Sequence, residues 1–140
     1  MSTMQNLTTE RERYMDIIEK TREMILKGFQ VEGADDVSLI LLHKGFYLQV
    51  LFSSVHPLII IYLAKSLDDR KFTDFEAINT ANTDSFMGSH SVNLDAGCYT
   101  FRSSHWLDAP MSTEKFSDIL ARCSDEALNA YNRIAGACCK

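Results

Sequence analysis

The sequence predicts an α+β fold with the element order α-βββ-α-ββ-α and a five-stranded antiparallel sheet. Three observations support this class. Apolar residues recur at helical spacing near both ends of the chain. The stretch from 37 to 65 is divided into short runs rich in β-branched and aromatic residues. Two strictly alternating segments flank a short turn near residue 96. Strands grouped in sequence and separated from helices are typical of α+β proteins.

The first helix is predicted to begin at Thr9 and end at Gly28. Thr9 and Glu12 have the spacing of a capping box, in which each side chain accepts a hydrogen bond from the other residue's backbone amide. Gly28 adopts the left-handed conformation of a helix C-terminus at little cost. The apolar residues between them follow the helical period: Tyr14, Ile17, Ile18, Met24 and Ile25.

Three strands are predicted next, at 37–42, 46–52 and 57–65, with Lys44-Gly45 as the first turn. The third stretch reads PLIIIYLAK and is apolar at every position from Leu58 to Ala64. Its β-branched isoleucines and short length favour a strand over a buried helix. Pro57 suits the first position of a strand, where no ladder donor is needed.

The second half is predicted to hold a short helix, a hairpin and a long helix. The short helix covers 73–82 and begins with a capping box, Thr73 to Glu76. The hairpin pairs 91–94 with 99–102 around Asp95-Ala96-Gly97. The long helix begins at Ser112 or Thr113 and ends at Gly136. Its apolar stripe comprises Phe116, Ile119, Leu120, Cys123, Ala127, Tyr131 and Ile134.

The third strand is apolar on both faces, which raises the question of what covers the second face. If Leu58 and Ile60 face the helices, the residues between them face the other way. Such a patch, if exposed, is larger than a monomer usually tolerates. Either helices cover both faces, or a second copy or a partner covers one; a twofold homodimer is the simplest partner. The predicted interface residues are Ile59, Ile61, Leu63, Tyr47 and Leu51, with Ile40 and Leu42 on the same side.

Composition excludes several classes of function. The net charge of −5 argues against binding to nucleic acid. No stretch approaches 18 apolar residues, so no membrane span is expected. The polar first nine residues lack the apolar core of an export signal, and the four cysteines lack metal spacing, so we expect a reduced, cytoplasmic protein. Residues 1–140 are expected to form one domain with an ordered core at about 9–136.

The order of elements resembles the YbjN-like family and its type III secretion chaperone-like fold. The more specific similarity lies in FEAINTANTDSFMGSHSVNLDAGCYTFRSSHWLDAPMSTEKFSDIL. There, a helix with paired asparagines, Asn79 and Asn82, leads into two strands joined by a turn with Asp95 and Gly97. The resemblance covers about 9–135. It implies helices mainly on one face of the sheet, dimerisation, and protein binding or regulation, with no catalytic residues and no cofactor.

Particular residues raise the question of other functions. Ser104, His105 and Asp108 are hydrolase residue types, but neighbours on a strand point to opposite faces. His90, His105 and Asp108 would form a metal site if the hairpin brought them together, although surface imidazoles are the simpler interpretation. A small-molecule sensor would use a pocket between sheet and long helix, near Tyr99, Trp106 and Tyr131. The ligand-site candidates are therefore His90, His105, Trp106 and Asp108.

The terminal pair Cys138-Cys139 is compatible with a lipidation site or with a soft-metal or redox site. An unstructured end of the chain is the simpler interpretation.

Overall fold

The computed structural model describes residues 3–67 and 75–138, with side chains over 9–67 and 75–135. These residues form three helices and six strands. In chain order they are α1 Thr3–Gly28, β1 Gly33–Ala34, β2 Ser38–His43, β3 Phe46–Phe52, β4 Leu58–Ser66, α2 Phe75–Thr83, β5 Ser89–Asn93, β6 Cys98–Trp106 and α3 Thr113–Cys138. Thr73 of the predicted capping box and Cys139 of the terminal pair lie outside the described residues.

The strands form one antiparallel sheet in the order β1-β2-β3-β4-β6-β5. The predicted fold class is confirmed, and the sheet has one more strand than the five predicted. This strand, β1, is two residues long and pairs with the outer side of β2. The turn between β2 and β3 has positive φ at both Lys44 and Gly45, as tight hairpins require.

The three helices bury their apolar sides against one face of the sheet. Ile25 of α1, Ala81 of α2 and Phe116 of α3 belong to the same buried cluster as the inward residues of β2, β3, β4 and β6. The predicted stripe of α3 is largely confirmed, because all its members except Tyr131 are buried. The core therefore lies in a single layer between sheet and helices.

Helix boundaries differ from the prediction at two ends. Helix α1 already begins at Thr3, so Thr9 lies within it and is not its cap. No proline or glycine precedes Thr9, and the helix extends past the capping-box pattern. Helix α3 likewise continues through Gly136 to Cys138. Its predicted start is confirmed, because the Ser112 hydroxyl accepts the backbone N–H of Lys115 at 3.1 Å.

Candidate functional site

One face of the sheet, here called the open face, carries the side chains that point away from the helices. Across β3 and β4, Tyr47 pairs with Ala64 and Leu51 with Ile60, and paired residues share a face. Leu42 and Tyr47 are 68% and 53% exposed. The apolar members over β2, β3 and β4 are Ile40, Leu42, Tyr47, Leu51, Leu58, Ile60, Tyr62 and Ala64. No described helix contributes to a cover on this side.

The orientation predicted for β4 is wrong. Ile59, Ile61 and Leu63, which were predicted to face away from the helices, are fully buried in the core. Leu58 and Ile60 occupy the open face in their place. The physical reason is that a strand with apolar residues on both faces contains no polar position to fix which face is inward. The prediction that Tyr47 and Leu51 belong to an interface is unaffected, since both lie on the open face.

The open face becomes polar toward β5 and β6. Arg102 donates a hydrogen bond from Nε to the Tyr62 hydroxyl at 3.1 Å, and the Ser91 and Thr100 hydroxyls are hydrogen-bonded to each other. At the far end of β6, Trp106 is 66% exposed, and its ring lies 5.3 Å from that of His56. The face therefore has an apolar half and a polar half, with an aromatic side chain at one corner.

A second apolar surface, here called the α1 groove, lies between α1 and the loop at 53–56. The groove has a volume of about 410 Å³. Met15 and Val55 are about 60% exposed there (59% and 63%). At its inner side the Arg22 guanidinium lies 5.7 Å from the Phe52 ring. Exposed apolar side chains in a concave surface are typical of sites that bind another molecule.

A third concave surface, here called the β6 cleft, lies between the end of β6 and the first half of α3. Its volume is about 740 Å³. It gathers three of the four predicted ligand-site residues, His105, Trp106 and Asp108, together with Met87, Lys115, Asp118, Ile119 and Arg122. Tyr99 and Tyr131, expected in the same pocket as Trp106, contact each other elsewhere, with ring centroids 6.0 Å apart.

The prediction that His90 is a surface imidazole is wrong. His90 is 3% exposed and lies within a hydrogen-bond network. Its Nε2 is 3.1 Å from Glu126 Oε2, and its Nδ1 is 2.6 Å from the Tyr99 hydroxyl. Because an ionised carboxylate only accepts hydrogen bonds, Nε2 carries the hydrogen and Tyr99 donates to Nδ1 of a neutral ring. Burial lowers the pKa of His90, although the nearby Glu126 opposes this effect.

Glu126 is the centre of this network. One oxygen accepts the backbone N–H groups of Phe86 and Met87 at 2.8 and 3.1 Å, and the other accepts the Ser85 hydroxyl at 2.7 Å. Burial alone would raise the pKa of Glu126, but these hydrogen bonds and His90 outweigh burial and lower it. The segment between α2 and β5 is thereby fixed onto α3. The sequence analysis missed Glu126, although its position beside Ala127 and three residues after Cys123 places it at the edge of the apolar stripe.

The structure does not assemble the predicted metal or hydrolase sites. His90 pairs with Phe101 across β5 and β6, which places His105 four residues, or about 13 Å, further along the sheet. Within 3–67 and 75–138, no group of three His, Cys, Asp or Glu residues has the geometry to hold a metal ion. His105 is hydrogen-bonded to Ser103, which is 2% exposed, while Ser104 points to the opposite face.

The buried His90 and the partly buried His43 and His105 predict that the stability of the fold depends on pH. Burial lowers the pKa of His43, His90 and His105 below 6.5, and Lys44 and Lys115 add to the effect at His43 and His105. As the pH falls below 6.5, the unfolded chain therefore binds protons before the folded chain does, and stability is lost. Each such histidine contributes at most about 1.4 kcal/mol per pH unit. Glu126 adds to this loss of stability at lower pH, because its pKa in the folded chain is below 4.5. Its contribution is lost as the pH falls from 4.5 through that lowered pKa.

Urea unfolding from pH 8 to pH 5 measures this effect. We expect the urea concentration at the unfolding midpoint to decrease as the pH is lowered below 6.5. In His90→Gln this decrease with pH should be less steep. His56→Gln, which removes an exposed loop histidine, is the control. A midpoint that rises toward pH 5 would contradict the prediction.

Comparison with known proteins identifies the fold. No family model matches the chain, and no curated protein matches it. Solved structures do. YbjN, a proposed transcription regulator from E. coli, superimposes with a TM-score of 0.60 at 9% identity, over 80% of this chain and 86% of that chain.

Two chaperone complexes match as well. A chain of the HopA1–SchA chaperone–effector complex has a TM-score of 0.60 at 10% identity, over 86% of this chain and 94% of that chain. A chain of the Yersinia pestis type III secretion chaperone SycH, in complex with a fragment of YscM2, has a TM-score of 0.56 at 11% identity. The match covers 84% of this chain and 98% of that chain. The chain therefore has the YbjN-like, type III secretion chaperone-like fold that the sequence predicted.

In the described part of the chain, no helix has both the length and the apolar content that crossing a membrane requires.

Proposed function

We propose that this chain is a non-enzymatic, chaperone-like protein-binding domain that acts in the cytoplasm as a homodimer. The observation that carries the proposal is the open face, whose apolar half lacks a cover among the described residues. An apolar surface of several hundred Å² on a folded protein is typical of an interaction site. The likeness of the fold to chains of two chaperone complexes supports the same class of function.

A second copy is the simplest occupant of the apolar half. A twofold axis brings the same patch of both copies together, so that one surface covers itself. Stable interfaces bury about 800 Å² per partner, whereas three adjacent strands of about seven residues cover roughly 300 Å². The proposed interface therefore extends from the apolar half onto the polar half of the open face. The α1 groove, which lies beside helix α1 and the 53–56 loop, remains for a client polypeptide. A regulatory role is the alternative form of the same binding function, in keeping with the likeness to YbjN.

The double variant Leu42→Lys/Tyr47→Lys tests the proposal. Both side chains are more than half exposed, so the thermal midpoint is expected to change by no more than a few degrees. The wild type is expected to sediment as a dimer and the variant as a monomer, because lysines within an apolar interface are desolvated without partners. Leu128→Lys, an exposed site on α3, is the matched control. A wild type that is strictly monomeric and binds no hydrophobic dye would refute the proposal.

A further inference from the structure

Strand β6 is four residues longer than the part of it that β5 covers. The last pair between β5 and β6 is Ser89 with Arg102, whereas β6 continues to Trp106. On its other side β6 is paired with β4 along its whole length. The final four residues of β6 therefore form a free edge within an otherwise interior strand.

The pairing with β4 shows which backbone groups are free. The Leu107 N–H donates to the Pro57 carbonyl at 2.7 Å, so the odd-numbered residues of β6 direct their hydrogen-bonding groups toward β4. Those of Ser104 and Trp106 point to the side that β5 leaves open. Neither residue has a backbone hydrogen bond to any other described residue at this edge. Their spacing, about 7 Å, is that of alternate residues in a strand ladder.

The end of β5 is held away from this edge. Glu126 accepts the amides of Phe86 and Met87, and the Gly88 N–H donates to the Ser85 hydroxyl at 3.2 Å. The chain before β5 is thus bound to α3 and does not continue along β6. The edge remains open because of specific contacts on α3, and the β6 cleft lies directly beside it.

The charged side chains that line the cleft are Asp108, Lys115, Asp118 and Arg122, so their formal charges balance and Lys115 is the cation that can select a guest side chain. Lys115 lines it and forms no ion pair with the described residues, whereas Arg122 is paired with Asp118 at 3.1 Å. A guest residue opposite His105 would direct its side chain to the same side as His105, toward the cleft. Guest residues opposite Ser104 and Trp106 would lie on the open face, where Trp106 pairs with Leu58.

We propose that the free edge of β6 at Ser104 and Trp106 binds an extended segment of another polypeptide by strand addition. An acidic side chain of the segment enters the cleft toward Lys115, and apolar side chains on either side of it lie beside Trp106. The proposal rests on the protein-binding function above and assigns it a second surface with a sequence preference. Backbone pairing supplies affinity in this mode of recognition, and alternate side chains supply specificity.

The test uses the full chain and a labelled synthetic peptide, Val-Thr-Val-Glu-Val-Thr-Val, flanked by Gly-Ser. Trp106 is the only tryptophan of the chain, so its emission reports binding at this edge directly. Ser104→Pro removes the free N–H without breaking a bond to β4, and we expect it to weaken binding at least tenfold. A peptide N-methylated at the two valines that flank the glutamate, which lie opposite Ser104 and Trp106, should lose binding to a similar extent. This experiment needs no variant of the protein.

The charge preference is tested separately. Lys115→Glu is expected to weaken binding of the glutamate peptide about tenfold and to favour a peptide with lysine at the centre. Lys44→Glu, in the turn at the other end of the sheet, is the control and should bind as the wild type does.

Several results would overturn the proposal. These are unchanged binding to Ser104→Pro or to the N-methylated peptide, and peptide binding that leaves Trp106 emission unchanged. A wild-type dimer that Ser104→Pro dissociates, without any peptide binding, would assign the edge to a second copy. If Leu42→Lys/Tyr47→Lys loses the dimer but the wild type binds no peptide, the proposed function stands and the edge assignment fails.

Discussion

Ile61→Glu is expected to unfold the chain or to destabilise it by at least about 4 kcal/mol. Ile61 is fully buried between the sheet and the helices, opposite Val50 on β3 and Ser103 on β6. The substitution removes a buried aliphatic side chain and places a carboxyl group where the neighbouring core offers mostly apolar contacts. The lost burial and the cost of an unpaired buried carboxyl group both oppose folding.

Ile60→Glu is the matched comparison, because the residue type and the strand are the same and only the face differs. Ile60 is partly exposed on the open face, opposite Leu51. In the monomeric subunit a glutamate there reaches solvent, so at a protein concentration below that of dimer formation the expected loss is about 1 kcal/mol, from strand propensity and contacts with its neighbours. Circular dichroism during urea unfolding measures both variants. Equal losses for the two would mean that both faces of β4 are covered in the folded unit.

The sequence predicted the elements of the sheet well but could not orient β4. In β3, Tyr47 and Gln49 alternate with Phe46 and Leu48, and the exposed residues are the ones that the alternation indicates. In β4 every residue from Leu58 to Ala64 is apolar. Side chains still alternate between the two faces, but no alternation of apolar and polar residues shows which face is inward. The orientation follows from register with β3, and register is a tertiary property.

The candidate surfaces were predictable only in part. The open face follows from the excess of apolar residues in β4, and Tyr47 and Leu51 were placed on it correctly. The free edge of β6 depends on where β5 stops, and this depends on contacts between α3 and the α2–β5 segment that are about 40 residues apart in sequence. A local sequence pattern does not predict contacts between residues so far apart in the chain. His90 was misplaced for the same reason, since its partner Glu126 lies 36 residues away.

Glu126→Ala is expected to lower the free energy of unfolding by about 3 kcal/mol at pH 7. The carboxylate accepts hydrogen bonds from two backbone amides, a hydroxyl and the His90 ring, and its removal leaves the buried His90 Nε2 without its partner. Hydrogen bonds to a charged group contribute more than neutral ones, but these four share one side chain and are not additive. Asp125→Ala, the exposed neighbour on α3, is the control and should cost less than about 0.5 kcal/mol.

Glu126→Gln separates the role of hydrogen bonding from that of charge. The amide oxygen can still accept from Phe86 and Met87, but the amide nitrogen cannot accept from Ser85 or from His90 Nε2. An intermediate loss of about 1–2 kcal/mol is therefore expected by urea unfolding. If Gln and Ala were equally destabilising, the contacts of Ser85 and His90 would dominate; if Gln matched the wild type, the backbone amides alone would hold the segment. A wild-type-like Glu126→Ala would contradict the network, and with it the reason that β5 stops short of the end of β6.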